Sequence, residues 1–135
     1  MNVHTDLLRH PEAWVNRPEG YLRTAIEALQ GGGLEVPLAW LDPCDPRDAT
    51  ILIGDSTRAL VWDEQTGWRT GRFVAGRQGM RTELADVSYL GGGAVPAAPE
   101  VAHRLLTGTS VQRPTYRSYK DVRDGLDDLL GTISA

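Results

Sequence analysis

Between Arg58 and Arg81 the chain sets five arginines, at 58, 69, 72, 77 and 81, around two tryptophans in the stretch VWDEQTGW, residues 61–68. Guanidinium groups clasp carboxylates or phosphates, and indole faces stack on bases or on arginine itself. Trp62, Trp68, Arg58, Arg69 and Arg72 are therefore the candidate binding residues. The same letters also describe a hairpin whose large residues bury one face while its arginines solvate the other. Loop register decides between the two. A four-residue loop, Glu64 to Gly67, pairs Asp63 with Trp68 and Trp62 with Arg69, which sends the indoles to opposite faces. Looping out all five residues from Asp63 would set Trp62 opposite Trp68 on one face. The four-residue loop is expected, because DEQTG reads as a type I turn followed by a left-handed glycine. One tryptophan would then lie in the core and the other would be open to a partner.

Other chemistry is sparse. His4, His10 and His103 lack the close helical spacing of metal ligands, and His103 reads as a surface or boundary residue without a catalytic partner. No serine sits in a G-x-S-x-G elbow. Neither GGGLEV nor GGGAVP carries the lysine of a phosphate loop, and Pro96 and Pro99 separate the second run from the helix that follows. Asp63 and Glu64 share a turn, while Asp127 and Asp128 point to different helix faces, so no acid–base pair is formed. No catalytic residue, cofactor or metal is expected.

The formal charge of −4 gives no general reason for affinity to nucleic acid or an anionic membrane. Local sign differs: the Arg58–Arg81 region is basic, whereas Asp121, Asp124, Asp127 and Asp128 make the tail acidic. A lone Cys44 between acids excludes an internal disulfide and reads as a turn residue. No signal or transit segment is legible, and no apolar run approaches the roughly eighteen residues of a membrane span. A cytoplasmic protein is expected. At 135 residues, 41% hydrophobic and 24% charged, the chain suits one folded domain, with 1–16 as a loosely attached segment.

The elements that must position these residues follow from periodicity. Residues 5–15 suggest a short helix around Leu7, Leu8 and Trp14, limited by Pro11. Pro18 opens a second helix through Leu22, Ala25, Ile26 and Leu29, which GGG at 31–33 stops. LEVPLAWLD alternates as a strand, and Pro37 places it at a sheet edge, or at least with that position facing away from a neighbour. ATILIG, RALVWD and WRTGRFVA make an antiparallel meander, and TILI, apolar without alternation, predicts a strand covered on both faces. ELADVSYL adds a further strand. Pro99 opens a helix through Val101, Ala102, Leu105 and Leu106, and SYKD caps a last helix that buries Val122, Leu126, Leu129, Leu130 and Ile133, with Gly125 in its interior. The expected fold is α+β: an N-terminal helix, an antiparallel meander of four to five strands, and two C-terminal helices packed on the sheet.

GYLRTAIEALQ, VWDEQTGW, YLGGGAVPAAPEVAHRLL and DVRDGLDDLL together resemble a family of small actinobacterial proteins of unknown function. That family has a W-D-x-x-x-G-W hairpin and a V-P-x-P-x-x-V-A helix entry. This chain spells the entry VPAAPEVA, with the second proline one place later. The resemblance runs from about Tyr21 onward and implies a fold without supplying an activity or functional residues. The leading expectation is a non-enzymatic binding or regulatory module that contacts a protein partner or a second copy through its sheet. The alternatives are nucleic-acid binding through the basic strands 58–81, and a small-ligand receptor or enzyme with a pocket near Tyr89, His103 and Tyr116.

Overall fold

Leu22, Ala25, Ile26 and Leu29 form the buried stripe of helix α1 (Glu19–Gly31), with Pro18 at the N-cap and Gly32 at the C-cap. Tyr21 joins the stripe and proves decisive for what lies beneath it. The computed structural model describes residues 7–43, 46–118, 120 and 124–133; the expected turn at Cys44 lies outside them.

Six strands follow chain order: β1 (Leu7–Leu8), β2 (Leu38–Asp42), β3 (Asp48–Ile53), β4 (Arg58–Asp63), β5 (Gly67–Arg77) and β6 (Met80–Tyr89). Every neighbouring pair is antiparallel except β1 with β2. The fold is α+β, but its sheet is six-stranded and mostly antiparallel rather than a meander of four to five strands. The additional strand arises where a short helix was expected. Leu7 and Leu8 pair with Ala39 and Trp40, and only Ala13–Asn16 coil, as a 3-10 turn. Pairing with a strand some thirty residues away overrides local helical spacing, and Leu7 and Val15 enter the main core. β2 consequently has a neighbour on each side and is not an edge strand, while Pro37 falls just before it.

Each residue of β3 is buried, the polar Asp48 and Thr50 included, and its TILI stretch is covered on both faces as expected. On one face Ala49, Ile51 and Ile53 join Leu60, Trp62 and Trp68 beneath α1, where α2 (Ala98–Leu106) and α3 (Leu126–Gly131) contribute Val101, Leu126 and Leu130. α2 and α3 both pack against α1. On the other face Trp40, Leu52 and Ala59 are covered by Phe73 and Leu84, from the far halves of β5 and β6. The Trp40 and Phe73 rings meet edge to face at 6.5 Å, and the hydroxyls of Thr50 and Thr82 hydrogen-bond at 2.6 Å. At the hairpin tip Gln78 Nε2 donates to the carbonyls of Leu41 (2.9 Å) and Leu8 (3.2 Å), and the Gly79 amide donates to Asp42 Oδ2 at 3.0 Å. The long β5–β6 hairpin therefore curls back over the sheet that it extends. Gly71 permits the curl, since a Cβ there would stand 2.6 Å from the Ala85 carbonyl oxygen.

The β4–β5 register differs from the expected one. Asp63 pairs with Gly67, so Trp62 faces Trp68 and both indoles lie on the helix side of the sheet. Gly67 is left-handed, at φ +75°, as expected, but it closes the ladder instead of extending the loop. The cause is the Asp63 carboxylate. Oδ1 accepts from the amides of Gln65 (2.8 Å) and Thr66 (2.6 Å), which tightens the loop to Glu64, Gln65 and Thr66.

The last helix also departs from expectation. It begins at Leu126, and Ser118 belongs to no helix; Val122 lies outside the described residues. Gly125 is the N-cap at φ +88° and not an interior residue, and Leu129 is 49% exposed rather than buried.

Gly67 carries a double constraint, because a Cβ there would also lie 2.6 Å from the Gly93 carbonyl oxygen, whereas one at Gly54 (φ +65°) would meet nothing within 4 Å. Gly54→Ala should cost about 1 kcal/mol for its backbone alone, and Gly67→Ala about 3 kcal/mol or more. Denaturant midpoints of the two variants check the difference; equal losses would show that the turn does not press on Gly93.

Candidate functional site

The hairpin indoles are 0% and 1% exposed, so the structure offers neither Trp62 nor Trp68 to a partner. Tyr21 of α1 sits across both, with ring centroids 6.3 Å from Trp62 and 6.1 Å from Trp68. Each polar edge finds a partner, as buried aromatics of this kind require. Trp62 Nε1 donates to the Ala94 carbonyl at 2.7 Å, Trp68 Nε1 donates to the Tyr21 hydroxyl at 3.0 Å, and that hydroxyl donates to the Pro96 carbonyl. Burial pushes the Tyr21 phenol well above its usual pKa, so it remains a neutral donor. The GGGAVP loop is thereby tied to the hairpin and α1 as a structural clamp.

The candidate arginines separate into two kinds. Arg69 Nη1 donates to Asp63 Oδ2 at 2.6 Å and is largely buried by that pairing. Arg58 and Arg72 are exposed and stand directly opposite each other on β4 and β5. Arg72 lies 3.8 Å from the still more exposed Asp86, a contact that solvent screens. Arg77 and Arg81 are exposed near the β5–β6 tip.

A second ionic cluster gave no sequence signal beyond the acids of the turn. Glu64 follows Asp63 into the loop and receives two arginines. Arg47 approaches through Nη2 (3.0 Å), Nε (3.2 Å) and its backbone amide (2.6 Å), and Arg117 through Nη1 (2.6 Å). Arg47 also donates to Asp127 Oδ1 at 2.6 Å and to the Trp14 carbonyl at 3.0 Å, and its guanidinium lies 5.6 Å from the Trp14 ring. Arg117 pairs in addition with Asp124. Burial by itself would lower the pKa of Arg47; its bonds to Glu64 and Asp127 more than reverse that, so it stays charged. Asp124 is held below the usual carboxylate range by Arg117. These bonds fasten the N- and C-terminal segments to the hairpin turn.

A third arrangement runs across the other face. Asp42, Asp48 and Asp63 are successive partners across β2, β3 and β4, at 1%, 3% and 2% exposure. Asp63 is saturated by Gln65, Thr66 and Arg69, and Asp42 accepts from Gly79. Among the described residues Asp48 Oδ2 has no hydrogen-bond partner. Burial, reinforced by Asp42, pushes its pKa up to about 7 against the pull of Arg69 and Arg81. The L-D-P-C-D-P-R-D spelling carries a signal for part of this row, since any hairpin centred on its loop brings Asp42 to Asp48. Among the described residues no group of three or more His, Cys, Asp or Glu is arranged to hold a metal ion.

A shallow, open cleft of about 390 Å³ lies between the GGGAVP loop and α3, lined among others by Gly93, Val95, Tyr116, Arg117, Asp124 and Leu129. Of the residues considered for a ligand pocket it includes Tyr116 but neither Tyr89 nor the exposed His103. No described helix is long and apolar enough to cross a membrane.

Residues 21–107 match a family of unknown function, DUF6292, and with that match over more than half its length the chain belongs to the family. The matched span runs from Tyr21 through α2, so it holds the aromatic clamp, the carboxylate row, Arg47 and Glu64, while Trp14, Arg117, Asp124 and Asp127 lie beyond it. No curated protein and no solved structure matches the chain.

Two outcomes test this geometry. Glu64→Ala takes from two largely buried guanidinium groups the carboxylate they share, leaving Arg47 with Asp127 and Arg117 with Asp124, and should lower stability by about 3 kcal/mol, whereas Asp86→Asn at the exposed pair should change it by less than about 0.5 kcal/mol; urea unfolding measures both. For Asp48 the sign follows from its raised pKa. Between about pH 4 and pH 7 the unfolded chain has released this proton while the folded chain retains it, so stability falls as pH rises and levels off above pH 7. Asp48→Asn should flatten that part of the pH–stability curve; an unchanged slope would assign it to other groups.

Proposed function

We propose that this protein is a non-enzymatic binding or regulatory module that contacts a protein partner or a second copy of itself through its sheet, using the outward surfaces of β5 and β6. The supporting observation is the exposure of Val74 (51%), Met80 (46%) and Val87 (42%) on that hairpin, beside the exposed Arg72, Arg77 and Arg81. Exposed apolar side chains interleaved with arginine are the composition of a contact surface more than of a solvated one. Among the described residues β6 pairs only with β5, apart from a bridge between Tyr89 and Val111, so its outer edge adds backbone groups to the same surface. The buried indoles serve this reading indirectly, by fixing the strands that present the surface. In the same reading the protein is cytoplasmic and of actinobacterial origin.

Nucleic-acid binding through residues 58–81 is the second reading. It draws support from Arg58 and Arg72, whose opposed like charges an anion between them would relieve. Arg69 is withdrawn from that set by Asp63.

Sedimentation velocity over a wide concentration range, together with capture from native extract, tests the leading reading. The expected result is a concentration-dependent dimer or a saturable partner, weakened at least about tenfold, or 1.4 kcal/mol, by Val74→Glu with Val87→Glu. A monomer at all concentrations with nothing captured would overturn it. Single-stranded DNA or RNA that binds at low salt with a steep salt dependence would favour the second reading instead.

A further inference from the structure

Asp124 and Gly125 make the sole Asp-Gly step in the sequence, and no Asn-Gly step occurs. Such a step carries a latent reaction, in which the glycine amide nitrogen attacks the carboxyl carbon of the preceding side chain. Glycine favours it because no Cβ shields the nitrogen and its backbone reaches the cyclic geometry without penalty. Both residues are exposed, so water reaches them. The structure nonetheless ties this carboxylate down by both oxygens. Arg117 donates through Nε to Oδ2 and through Nη2 to Oδ1 at 3.0 Å, and the Leu126 amide donates to Oδ1 at 3.2 Å. Arg117, its side chain 8% exposed, is itself held by Glu64 through Nη1 at 2.6 Å. The guanidinium fork therefore joins the hairpin turn to the start of α3, where Gly125 stands as N-cap at φ +88°. Arg117 also keeps Asp124 below the usual carboxylate range, and an ionised carboxylate resists attack because it is the protonated form that can lose water.

We propose that Asp124–Gly125 is a modification site, an aspartyl isomerisation step guarded by Arg117, whose conversion to the isoaspartyl form unfastens the start of α3 from the guanidinium fork. The chemistry consumes and returns water and needs no other reactant. Gly125 N bonds to Asp124 Cγ, the carboxyl hydroxyl leaves as water with the amide hydrogen, and a five-membered succinimide forms. Water then adds to one of the two ring carbonyls. Opening at Cγ restores aspartate, whereas opening at the backbone carbonyl of residue 124 breaks its bond to Gly125 N and leaves the main chain running through Cβ and Cγ. The product has the parent's mass and one more main-chain carbon. Its free carboxylate hangs directly from Cα, out of register with the Arg117 fork and the Leu126 amide. Release is local, since Leu130 stays buried and Asp127 still pairs with Arg47. Asp55–Ser56 provides the internal comparison, because Asp55 lies on an exposed turn and is held by the Thr57 amide and hydroxyl rather than by an arginine. The site lies away from the β5–β6 surface and does not depend on the contact proposed there.

Incubation of the full chain at neutral pH, with isoaspartate read by enzymatic methylation and by mapping of the peptide that contains residue 124, tests the proposal. Isoaspartate at 124 should accumulate at least about tenfold more slowly in the folded parent than in the same chain unfolded in urea, since the reaction runs from the locally opened fraction. Arg117→Ala should raise the folded rate toward the unfolded one. Arg117→Lys, which keeps the charge without the planar fork, should fall between them. Accumulation at Asp55 should be the same in all three folded chains. Gly125→Ala should slow the reaction in urea, where no left-handed backbone is required of it. In the isomerised parent, exchange protection of the Leu129 amide, which bonds to the Gly125 carbonyl at 2.9 Å, should fall while amides of β3 keep theirs. Equal rates in the folded and unfolded parent, or a folded rate unmoved by both Arg117 substitutions, would overturn the guard. An isomerised chain with Leu129 fully protected would overturn the release. If Arg117→Ala does not fold, Arg117→Lys and the parent with and without urea decide the matter.

Discussion

The Asp63 carboxylate sets the register on which the rest of the molecule depends. Its two oxygens accept from the Gln65 and Thr66 amides, the Thr66 hydroxyl and Arg69, so one side chain satisfies most of the turn's donors and the cation beside it. A strand shifted by one residue presents its opposite set of side chains, so register here is a choice between two different proteins. In the observed one, Trp62 and Trp68 lie side by side beneath Tyr21 and the main core closes around them. In the other, one indole would leave the helix layer, and the hydrogen bond either to Ala94 or to Tyr21 would go with it. The clamp over the GGGAVP loop is thus a consequence of a four-donor carboxylate.

The same turn organises the ends of the chain. Glu64 points away from Asp63 into a site where Arg47 and Arg117 converge, and it costs free energy to bury three charged groups unless each is bonded. Here each is. Family membership sharpens the contrast: Arg47 and Glu64 lie within the matched span, and the groups that complete the cluster from Trp14, Arg117 and Asp127 come from outside it. In this chain the matched span supplies an ionic post, and the segments on either side of it fasten to that post.

Much of the architecture was legible because it is local. The stripe of α1 and its glycine stop, the unbroken apolar run of β3 and the proline entry of α2 all declare themselves within a few residues. What was not legible depends on partners distant in sequence or on a choice between nearly equal local options. Leu7 and Leu8 fit a helical turn until β2 offers them hydrogen bonds. Ser118 fits a helix cap, yet the helix waits for the left-handed Gly125. A left-handed Gly67 suits both hairpin registers, so the glycine's conformation was legible while the loop's residue count was not. The candidate arginines carried the same ambiguity, since nothing in the spacing of Asp63 and Arg69 says that the pair will be buried while Arg58 and Arg72 stay in water.

The two faces of the sheet are built from different materials, and this difference assigns their roles. The helix face is aromatic and aliphatic, with its indole and phenol groups bonded to the backbone of the GGGAVP loop, and close packing of that kind resists small movements. The opposite face has a smaller apolar cluster around Trp40, and past it a strip of Thr50, Thr82, Asp48 and Asp42 whose contacts are polar. Polar contacts near an exposed hairpin tip can be exchanged for water at a cost set by protonation and hydration, which tight aromatic packing does not permit. The helix face therefore holds the strands in register, and the curled β5–β6 hairpin is fastened to the other face by that smaller apolar cluster together with polar bonds from Thr82, Gln78 and Gly79.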